Sequence, residues 1–581
     1  MQISYTIRFA QPSTHYLQAE MQIRGIDTAE LKLKMPVWTP GSYLIREFAR
    51  NIDFVEAEFP DGRKERIKKI SKNTWRIKTG GQHAIIVRYN LYCFEWSVRT
   101  NFVDEDHAFL NGAPTYLYVE GQEHRPVEIH FEPHSNWKRI STVLQQKEND
   151  PWTRVAYSLD EMIDSPVEIG NHASYFFEAG GVPHEVAIFG DSEADVPKLL
   201  NDLRAIAEEE TKLFGSNPCP GYLFIIHHSE NSFGGLEHEN CSVNHITRKH
   251  YDEKKYKQAI SLLSHEYFHL WNVKRIRPAE LVNYNYEQET YTELLWFFEG
   301  VTSYYDDLLC YRSGIFSQAQ YIEIVADNLN RVLNTPGIHT QSLAEASFDT
   351  WIKYYRQNEN SVNSQISYYT KGGIISMLFD FMIMDATNGE RTLDDVLRKL
   401  YADYLKGNYK GISEQSLLQA LAEISGIDFH PYFQKYIHST DTIQPEIYFE
   451  LLGLKLSEKI EPGKIYLGLT TSWKEKLIVT KLEKGFGAYA TGLNIQDHII
   501  SIDGIEVTEE FEKIYANKKA GDSVQVILSR QGIIKEIPML LTADTRKHFQ
   551  IEFQEHPTAK QSRLLKKWLP SVNANAEKVS G

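Results

Sequence analysis

Hydrophobic and polar residues alternate along the first part of the chain with the period of two that is typical of half-buried β-strands. The alternation runs through residues 3–9, 17–23 and 31–35, and the turn sequence Pro60-Asp61-Gly62 favours a hairpin. We therefore predict a β-sandwich-like N-terminal domain over residues 1–174.

From about residue 175 the pattern changes to longer apolar runs and helical periodicity. Residues 186–190 and 222–228 have the composition of buried strands, and the segment between them has the period of an amphipathic helix. Helical periodicity then continues to about residue 443. The pattern predicts a second, mostly helical domain over residues 175–445.

Short strands return in a third segment, residues 446–545, together with a helix at about 509–518. The strands are expected at 477–481, 498–503, 523–529 and 535–541. Residues 546–581 contain two prolines and end in the polar run NANAEKVSG, which predicts a weakly ordered C-terminal tail. The expected fold class is a multidomain α+β protein.

Length and charge agree with this division and narrow the function. A chain of 581 residues is too long for a single hydrophobic core. The formal net charge of −16 argues against nucleic acids and anionic membranes as general partners. The sequence contains no run of eighteen apolar residues, so we expect no membrane span.

The cysteines and the N-terminus indicate the compartment. The four cysteines are scattered and form no close pair, which is typical of a reducing environment. The first residues, MQISYTIRFAQ, lack the basic segment and apolar core of a signal peptide. We therefore expect a cytoplasmic protein.

The strongest chemical motif is His265-Glu266-Tyr267-Phe268-His269. Residues four apart lie on one face of a helix, so the two imidazoles can hold one metal ion while Glu266 faces the same water. The alternative is a pair of structural histidines. A buried helix has little need for two histidines and a glutamate together, so the motif predicts a zinc site.

A second carboxylate belongs to the helix that follows. The sequence Thr290-Tyr291-Thr292-Glu293 has the form of a capping box and predicts a helix start, and the run LLWFFEGVTSYYDDLL after it is almost entirely apolar. Glu299 is the mid-helix carboxylate that apolar residues flank on both sides. Burying an unpaired carboxylate is costly, and a metal ion is one of the few partners that makes it tolerable.

The segment SHEYFHLWNVKRIRP, followed by WFFEG, closely resembles the glycyl aminopeptidase family of gluzincin metallopeptidases, which are relatives of the aminopeptidase N group. The resemblance covers nearly the whole chain. It implies a thermolysin-like catalytic domain at 175–445 and a C-terminal PDZ domain at 446–545. It also implies that His265, His269 and Glu299 bind one Zn²⁺ ion, with Glu266 as the catalytic base.

Two histidines and one glutamate leave the fourth zinc position open for water, which is the arrangement of catalytic zinc sites. Zinc brings the pKa of that water to about 7. Glu266 would accept its proton and pass it to the leaving amine. The same set of donors therefore supports hydrolysis of a peptide bond.

The tract Gly234-Gly235-Leu236-Glu237-His238 resembles the GAMEN motif of aminopeptidase N relatives, with histidine in place of the asparagine. The resemblance implies that Glu237 binds the free α-ammonium of the substrate and that the strand around Gly234 and Gly235 pairs with the substrate backbone. A carboxylate that fixes the ammonium beside zinc restricts cleavage to the first peptide bond. The alternative is a plain edge-strand carboxylate.

Tyr368-Tyr369-Thr370-Lys371-Gly372 resembles the Y-x-K-G motif of the same relatives. The spacing to Lys371 and Gly372 matches Tyr369 to the tyrosine that stabilises the tetrahedral oxyanion. A phenol donor in that place becomes stronger as negative charge develops.

Two further segments have open roles. Tyr466-Leu467-Gly468-Leu469 lies near the expected carboxylate-binding loop of the PDZ domain, which would bind a peptide ligand or serve only as structure. The tract at 36–51, which contains Tyr43 and Arg46, is either a structural crossing loop or a segment that reaches the active site.

We favour a zinc aminopeptidase that removes small N-terminal residues, glycine or alanine, from peptides with a free N-terminus. A PDZ-assisted zinc endopeptidase and a non-catalytic peptide-binding scaffold are the alternatives. Cleavage of N-acetylated peptides would identify the first alternative, and failure to hold stoichiometric metal the second.

Overall fold

A computed structural model describes residues 1–459 and 462–571. Strands dominate the first 171 residues, as the alternating pattern predicts. They are β1 (Gln2–Arg8), β2 (Tyr16–Arg24), β3 (Glu30–Lys34), β4 (Ile52–Glu58), β5 (Lys64–Glu65), β6 (Lys68–Ser71), β7 (Thr74–Lys78), β8 (Ala84–Tyr92), β9 (Phe102–Val103), β10 (His107–Leu110), β11 (Tyr118–Val119), β12 (Val127–Glu132), β13 (Arg139–Ser141), β14 (Gln145–Gln146), β15 (Thr153–Ala156) and β16 (Val167–Gly170), with one short helix, α1 (Leu159–Ile163).

These strands form three sheets. An eight-stranded sheet has the order β14-β15-β12-β1-β2-β8-β4-β5, and the two four-stranded sheets are β13-β16-β10-β9 and β11-β3-β7-β6. Ile7 and Leu17 of the large sheet and Leu33 and Ile77 of the last sheet belong to one buried cluster. The N-terminal part is therefore β-rich, as predicted, with a shared core between facing sheets.

The middle of the chain contains one sheet and most of the helices. Its elements are β17 (Ala173–Ala179), β18 (Val182–Phe189), α2 (Val196–Phe214), β19 (Tyr222–Ser229), β20 (Gly234–Glu237), β21 (Cys241–Thr247), α3 (Glu253–Phe268), α4 (Leu295–Arg312), α5 (Gln318–Leu333), α6 (Leu343–Phe348), α7 (Ser361–Ser364), α8 (Tyr368–Ala386), α9 (Leu393–Leu405), α10 (Glu414–Ser425) and α11 (His430–Tyr436). The strand–helix–strand prediction for β18, α2 and β19 is confirmed.

The sheet has the order β17-β18-β19-β21-β20, in which β18, β19 and β21 are parallel. The edge strand β20 runs antiparallel to β21. Helix α3 follows β21 and packs against β20, and α4 packs against both α3 and α8. The edge strand and three helices are thus brought together at one place.

The predicted helix start at Thr290–Glu293 is wrong. Helix α4 begins at Leu295, and its first turn has no capping side chain of its own. The backbone N–H of Trp296 donates instead to Ser347 Oγ of α6, at 3.0 Å. A side chain from a neighbouring helix satisfies a donor that a capping box would otherwise serve.

The C-terminal elements are α12 (Glu446–Leu451), β22 (Leu454–Glu458), β23 (Leu469–Trp473), β24 (Leu477–Leu482), α13 (Gly487–Ala490), β25 (His498–Ile502), β26 (Ile505–Glu506), β27 (Ser523–Arg530), β28 (Ile533–Leu540), β29 (Phe549–Phe553) and α14 (Ala559–Trp568). The sheet β23-β24-β25-β27-β28, with β26 beside β25, surrounds its own buried cluster. The four predicted strands are confirmed, but the helix expected at 509–518 is only a short 3-10 helix, Phe511–Tyr515.

The expectation of a weakly ordered tail is wrong for residues 549–568. Strand β29 pairs with β22, and Trp568 of α14 is fully buried, with its Nε1–H donating to the Tyr304 hydroxyl at 3.1 Å. Leu564 and Trp568 form the buried face of α14, whereas the basic residues Arg563, Lys566 and Lys567 of the same helix are exposed. Residues 572–581 lie outside the described part of the chain.

Across residues 1–459 and 462–571, no helix combines the length and apolar character that crossing a bilayer requires.

We predict that Trp568→Ala lowers the free energy of unfolding by about 3–5 kcal/mol, because the change leaves a cavity beside Phe381 and Tyr304. Chemical unfolding followed by far-UV circular dichroism measures the loss. The matched control is Trp473→Ala, whose ring is 38% exposed. Equal unfolding midpoints for the two variants would mean that α14 does not support the fold.

Candidate active site

Helix α3 presents the two histidines of the motif. Asp252 caps its start by accepting from the backbone N–H of Lys255, and the helix ends at Phe268 with His269 in the C-cap position. The Nδ1–H of His265 donates to Asp306 Oδ2 at 2.9 Å, and that of His269 donates to the Asn272 carbonyl at 2.7 Å. These bonds fix the tautomers, so both Nε2 lone pairs are free for a shared partner.

Glu299 of α4 lies opposite the two imidazoles. Its Oε2 is 3.5 Å from Nε2 of His265 and 3.3 Å from Nε2 of His269. This oxygen accepts no hydrogen bond from the described part of the chain, although the residue is only 2% exposed. Donors at 2.0–2.1 Å from a tetrahedral zinc ion are roughly 3.3 Å apart. The three side chains therefore fit one zinc ion.

The electrostatics of the three donors follow from this arrangement. Burial alone would raise the pKa of Glu299, but the nearby imidazoles of His269 and His265 lower it below its ordinary value. Burial would lower the pKa of His269, and Glu299 outweighs that effect and raises it. The carboxylate thus holds its negative charge in a buried place, which suits a cation.

Glu266 lies beside this cluster and is also buried. Its Oε2 has no hydrogen-bond partner, and burial raises the pKa of its carboxyl group to about 7. A Cβ added to Gly235 of β20 would overlap the Glu266 carboxylate. The glycine is therefore needed for the edge strand to pass this close to the helix.

Strand β20 positions Glu237, which is 4% exposed and has an Oε1 without a hydrogen-bond partner. Gly234 begins the strand with φ +143°, a conformation that favours glycine. At the other end of the strand, His238 Nδ1–H donates to Asp164 at 2.9 Å, and Lys274 Nζ donates to the same carboxylate at 3.0 Å. These bonds fix the strand that carries Glu237.

Tyr369 reaches the cluster from α8. Gly300 and Gly372 face each other where α4 and α8 cross, and a Cβ on either would meet the other helix's backbone. This close crossing brings the Tyr369 ring to 6.0 Å from that of His265. Its neighbour Tyr368 is turned away and bonds Thr350 Oγ1 at 2.9 Å.

These residues line a cleft of about 410 Å³, which includes Gly235, Glu237, His265, Glu266, His269, Glu299 and Tyr369. Gly234 is at the start of the same strand but outside the lining. The structure thus brings together the predicted metal donors, base, ammonium ligand and tyrosine.

Four residues of the site were missed by the sequence analysis. Gly41 and Arg99 of the N-terminal part and Tyr355 line the cleft, and Asp306 orients His265. Asp306 is seven residues after Glu299, which is two helical turns and places both on one face of α4. That spacing was the available signal, whereas Arg99 and Tyr355 have none in the sequence. Of the segment at 36–51, it is the backbone around Gly41 that reaches the site.

A second group of buried metal-type side chains occurs between the N-terminal and middle sheets. Glu168 accepts from His107 Nδ1–H at 2.8 Å and from His227 Nε2–H at 2.9 Å, one bond to each carboxylate oxygen. Because both oxygens are already bonded, this cluster is satisfied without an ion. It contrasts with the unbonded Oε2 of Glu299.

Family models match two parts of the chain: the peptidase M61 N-terminal domain at residues 4–171 and the M61 glycyl aminopeptidase at residues 258–375. No curated protein matches. The chain is similar to an aminopeptidase N family protein from Idiomarina loihiensis whose crystal structure is known. The two sequences are 30% identical, the match covers 98% of this chain and 100% of the other, and the TM-score is 0.92.

A more distant likeness is to an M1 zinc metallopeptidase from Deinococcus radiodurans crystallised with a Tyr-Ser-Ala substrate. It is 12% identical, with a TM-score of 0.47, and covers 77% of this chain and 95% of its own. The two family models and the relative from Idiomarina loihiensis, which matches over nearly the whole chain, show the family of this protein. The chain belongs to the M61 glycyl aminopeptidase family and is a zinc metallopeptidase.

Proposed function

We propose that the protein is an aminopeptidase that hydrolyses the first bond of peptides with a free N-terminus. One observation carries the proposal: a buried carboxylate with an unbonded oxygen, Glu237, lies next to the metal cluster. Ligand atoms of Glu237, Glu266 and His269 are all within 4.8 Å of one another. An ammonium group is the natural partner for such a carboxylate.

In this proposal His265, His269 and Glu299 hold one zinc ion. Zinc, when bound, supplies Lewis-acid chemistry by polarising a carbonyl oxygen and lowering the pKa of water. Glu237 fixes the substrate ammonium, so that the first peptide bond lies between Glu266 and the metal cluster. The positioning contributes to catalysis because it lowers the entropic cost of bringing the reacting groups together.

Glu266 acts as the general base and then as the general acid. It takes the proton from the attacking water and delivers it to the leaving amine. A pKa raised to about 7 by burial suits both steps near neutral pH. Tyr369 donates its hydroxyl hydrogen to the oxyanion that develops on the scissile carbonyl.

Small first residues, glycine or alanine, are the expected substrates. The backbone of Gly41 lies so close to Glu237 that a Cβ added to residue 41 would overlap the Glu237 carboxylate. The Tyr355 hydroxyl donates to the Gly41 carbonyl at 3.1 Å and holds this wall in place. We expect this wall beside Glu237 to favour a small side chain on the residue whose ammonium is bound there.

We propose the division 1–174, 175–445 and 446–545, with the last part as a PDZ domain and the middle as a thermolysin-like catalytic domain. The separate buried cluster within residues 467–541 supports the third part. Asn363 accepts from the backbone N–H of Lys484 at 2.7 Å and donates to the Leu482 carbonyl at 2.8 Å. Such docking favours a structural role for this part.

For β22, β29 and α14, the buried residues join the cluster of the middle part. We therefore propose that residues 446–458 and 546–571 pack with the catalytic domain, so that the PDZ part narrows to the separate cluster within residues 467–541. The four cysteines are free and buried, which agrees with the proposed cytoplasmic localisation.

We predict that the protein cleaves alanyl-p-nitroanilide and does not cleave its N-acetylated form. Glu237→Gln should lower kcat/KM for the free amine roughly 10- to 100-fold, since a charge-assisted bond to the ammonium is lost. Glu239→Gln is the matched control because its side chain is 47% exposed. Glu266→Gln serves as the inactive reference. Equal cleavage of acetylated and free substrates would contradict the proposal and indicate an endopeptidase.

Asp306→Asn should weaken zinc binding about 10- to 100-fold, because the carboxylate that orients His265 is lost. Competition with a chromogenic chelator measures the affinity. Asp307→Asn is the matched control, since Asp307 bonds Ser261 rather than a histidine. If both variants bound zinc as the wild type does, Asp306 would have no part in the metal site.

A further inference from the structure

Two neighbouring arginines of the N-terminal part, of which Arg99 lines the cleft, have no carboxylate partner among the described residues. Among the described residues, the Nε–H of Arg99 has no hydrogen-bond partner, and its Nη2 reaches only the Gly235 carbonyl, at 3.4 Å. The Arg46 guanidinium donates in this part of the chain to the Ser42 hydroxyl alone, at 3.0 Å from Nη2 and 3.4 Å from Nε. Within residues 1–459 and 462–571, neither guanidinium has a carboxylate oxygen within 4.0 Å.

The two guanidinium groups also act on each other. Burial lowers the pKa of Arg46 to about 10, and the charge of Arg99 adds to this effect. Glu95 opposes it, but Glu95 is already paired with Arg50 at 3.2 Å. Two neighbouring guanidinium groups that are partly buried, one of them with an unbonded N–H, raise the free energy of the protein unless an anion binds between them.

We propose that Arg99, with the charge of Arg46 nearby, binds a carboxylate of the peptide substrate. A guanidinium presents a fork of N–H donors that matches a carboxylate. The inference rests on the proposed aminopeptidase function, because the substrate must enter this cleft with its ammonium at Glu237.

The position of Arg99 limits where that carboxylate can be on the substrate. Arg99 donates to the carbonyl of Gly235. Gly235 and Glu237 are two residues apart on β20, so their Cα atoms are separated by about 7 Å. Two extended residues of a peptide span about the same length. The carboxylate therefore belongs to the second or third residue, either as the C-terminus of a short peptide or as an acidic side chain.

The test compares matched pairs of substrates on the zinc-loaded full-length protein. One pair is alanyl-alanine and alanyl-alanine amide, which differ in the C-terminal carboxylate. The others are alanyl-glutamate amide against alanyl-glutamine amide, and alanyl-alanyl-glutamate amide against alanyl-alanyl-glutamine amide, which differ in the acidic side chain of the second or third residue. We expect the wild type to prefer the carboxylate in at least one pair by roughly 10- to 100-fold in kcat/KM.

Arg99→Gln should bring that preference to about one, and Arg99→Lys should retain part of it, since an ammonium keeps the charge but loses the fork. The readout is a ratio within each variant, so a general loss of activity or folded protein cancels. Arg50→Gln is the matched control, because this nearby arginine is 64% exposed and already paired. The control should keep the wild-type ratio.

The outcomes separate this inference from the function on which it rests. Ratios near one in every pair, or a preference that survives in Arg99→Gln, would overturn the role of Arg99 while leaving the aminopeptidase intact. If the wild type cleaved none of the free-amine peptides, both the proposed function and this inference would fall. A preference in the first pair identifies the C-terminal carboxylate as the ligand, and one in the other pairs identifies the side chain.

Discussion

The site depends on one buried negative charge. Glu299 is buried in the second turn of a mostly apolar helix, and the two imidazoles that face it already give their Nδ1–H groups to Asp306 and to a backbone carbonyl. A carboxylate in such a place requires a cation or a proton. The directed lone pairs of His265 and His269 favour a metal ion, and the surrounding helices hold the three donors at that spacing.

The remaining parts of the cleft are arranged around this cluster by close backbone contacts. Gly235 allows the edge strand to pass against Glu266, and Gly300 allows α8 to approach α4, so that Tyr369 faces the same space. The N-terminal part completes the arrangement. Asp164 fixes the end of the strand that carries Glu237, and Gly41 forms the wall beside it. The catalytic cleft thus uses residues from both of the first two parts of the chain.

Much of this could be predicted from the sequence because the relevant signals are local. The HExxH spacing, the carboxylate of Glu299 flanked by apolar residues and the paired glycines before Glu237 each describe one element and its chemistry. Arg99 and Tyr355 could not be found in this way, because they reach the cleft only through the packing of distant segments. The start of α4 and the buried face of α14 were mispredicted for a related reason: Ser347 and the Tyr304 hydroxyl come from other helices.

The most direct test of the account is the zinc content and X-ray absorption spectrum of the purified protein. The account predicts one zinc ion per chain, with two nitrogen donors and oxygen donors at about 2.0–2.2 Å and no sulfur. Replacing Glu299 with glutamine should remove the ion from most of the protein after dialysis. A wild type that binds no zinc, or a Glu299→Gln variant that retains it fully, would contradict the claim that this buried carboxylate is a metal ligand.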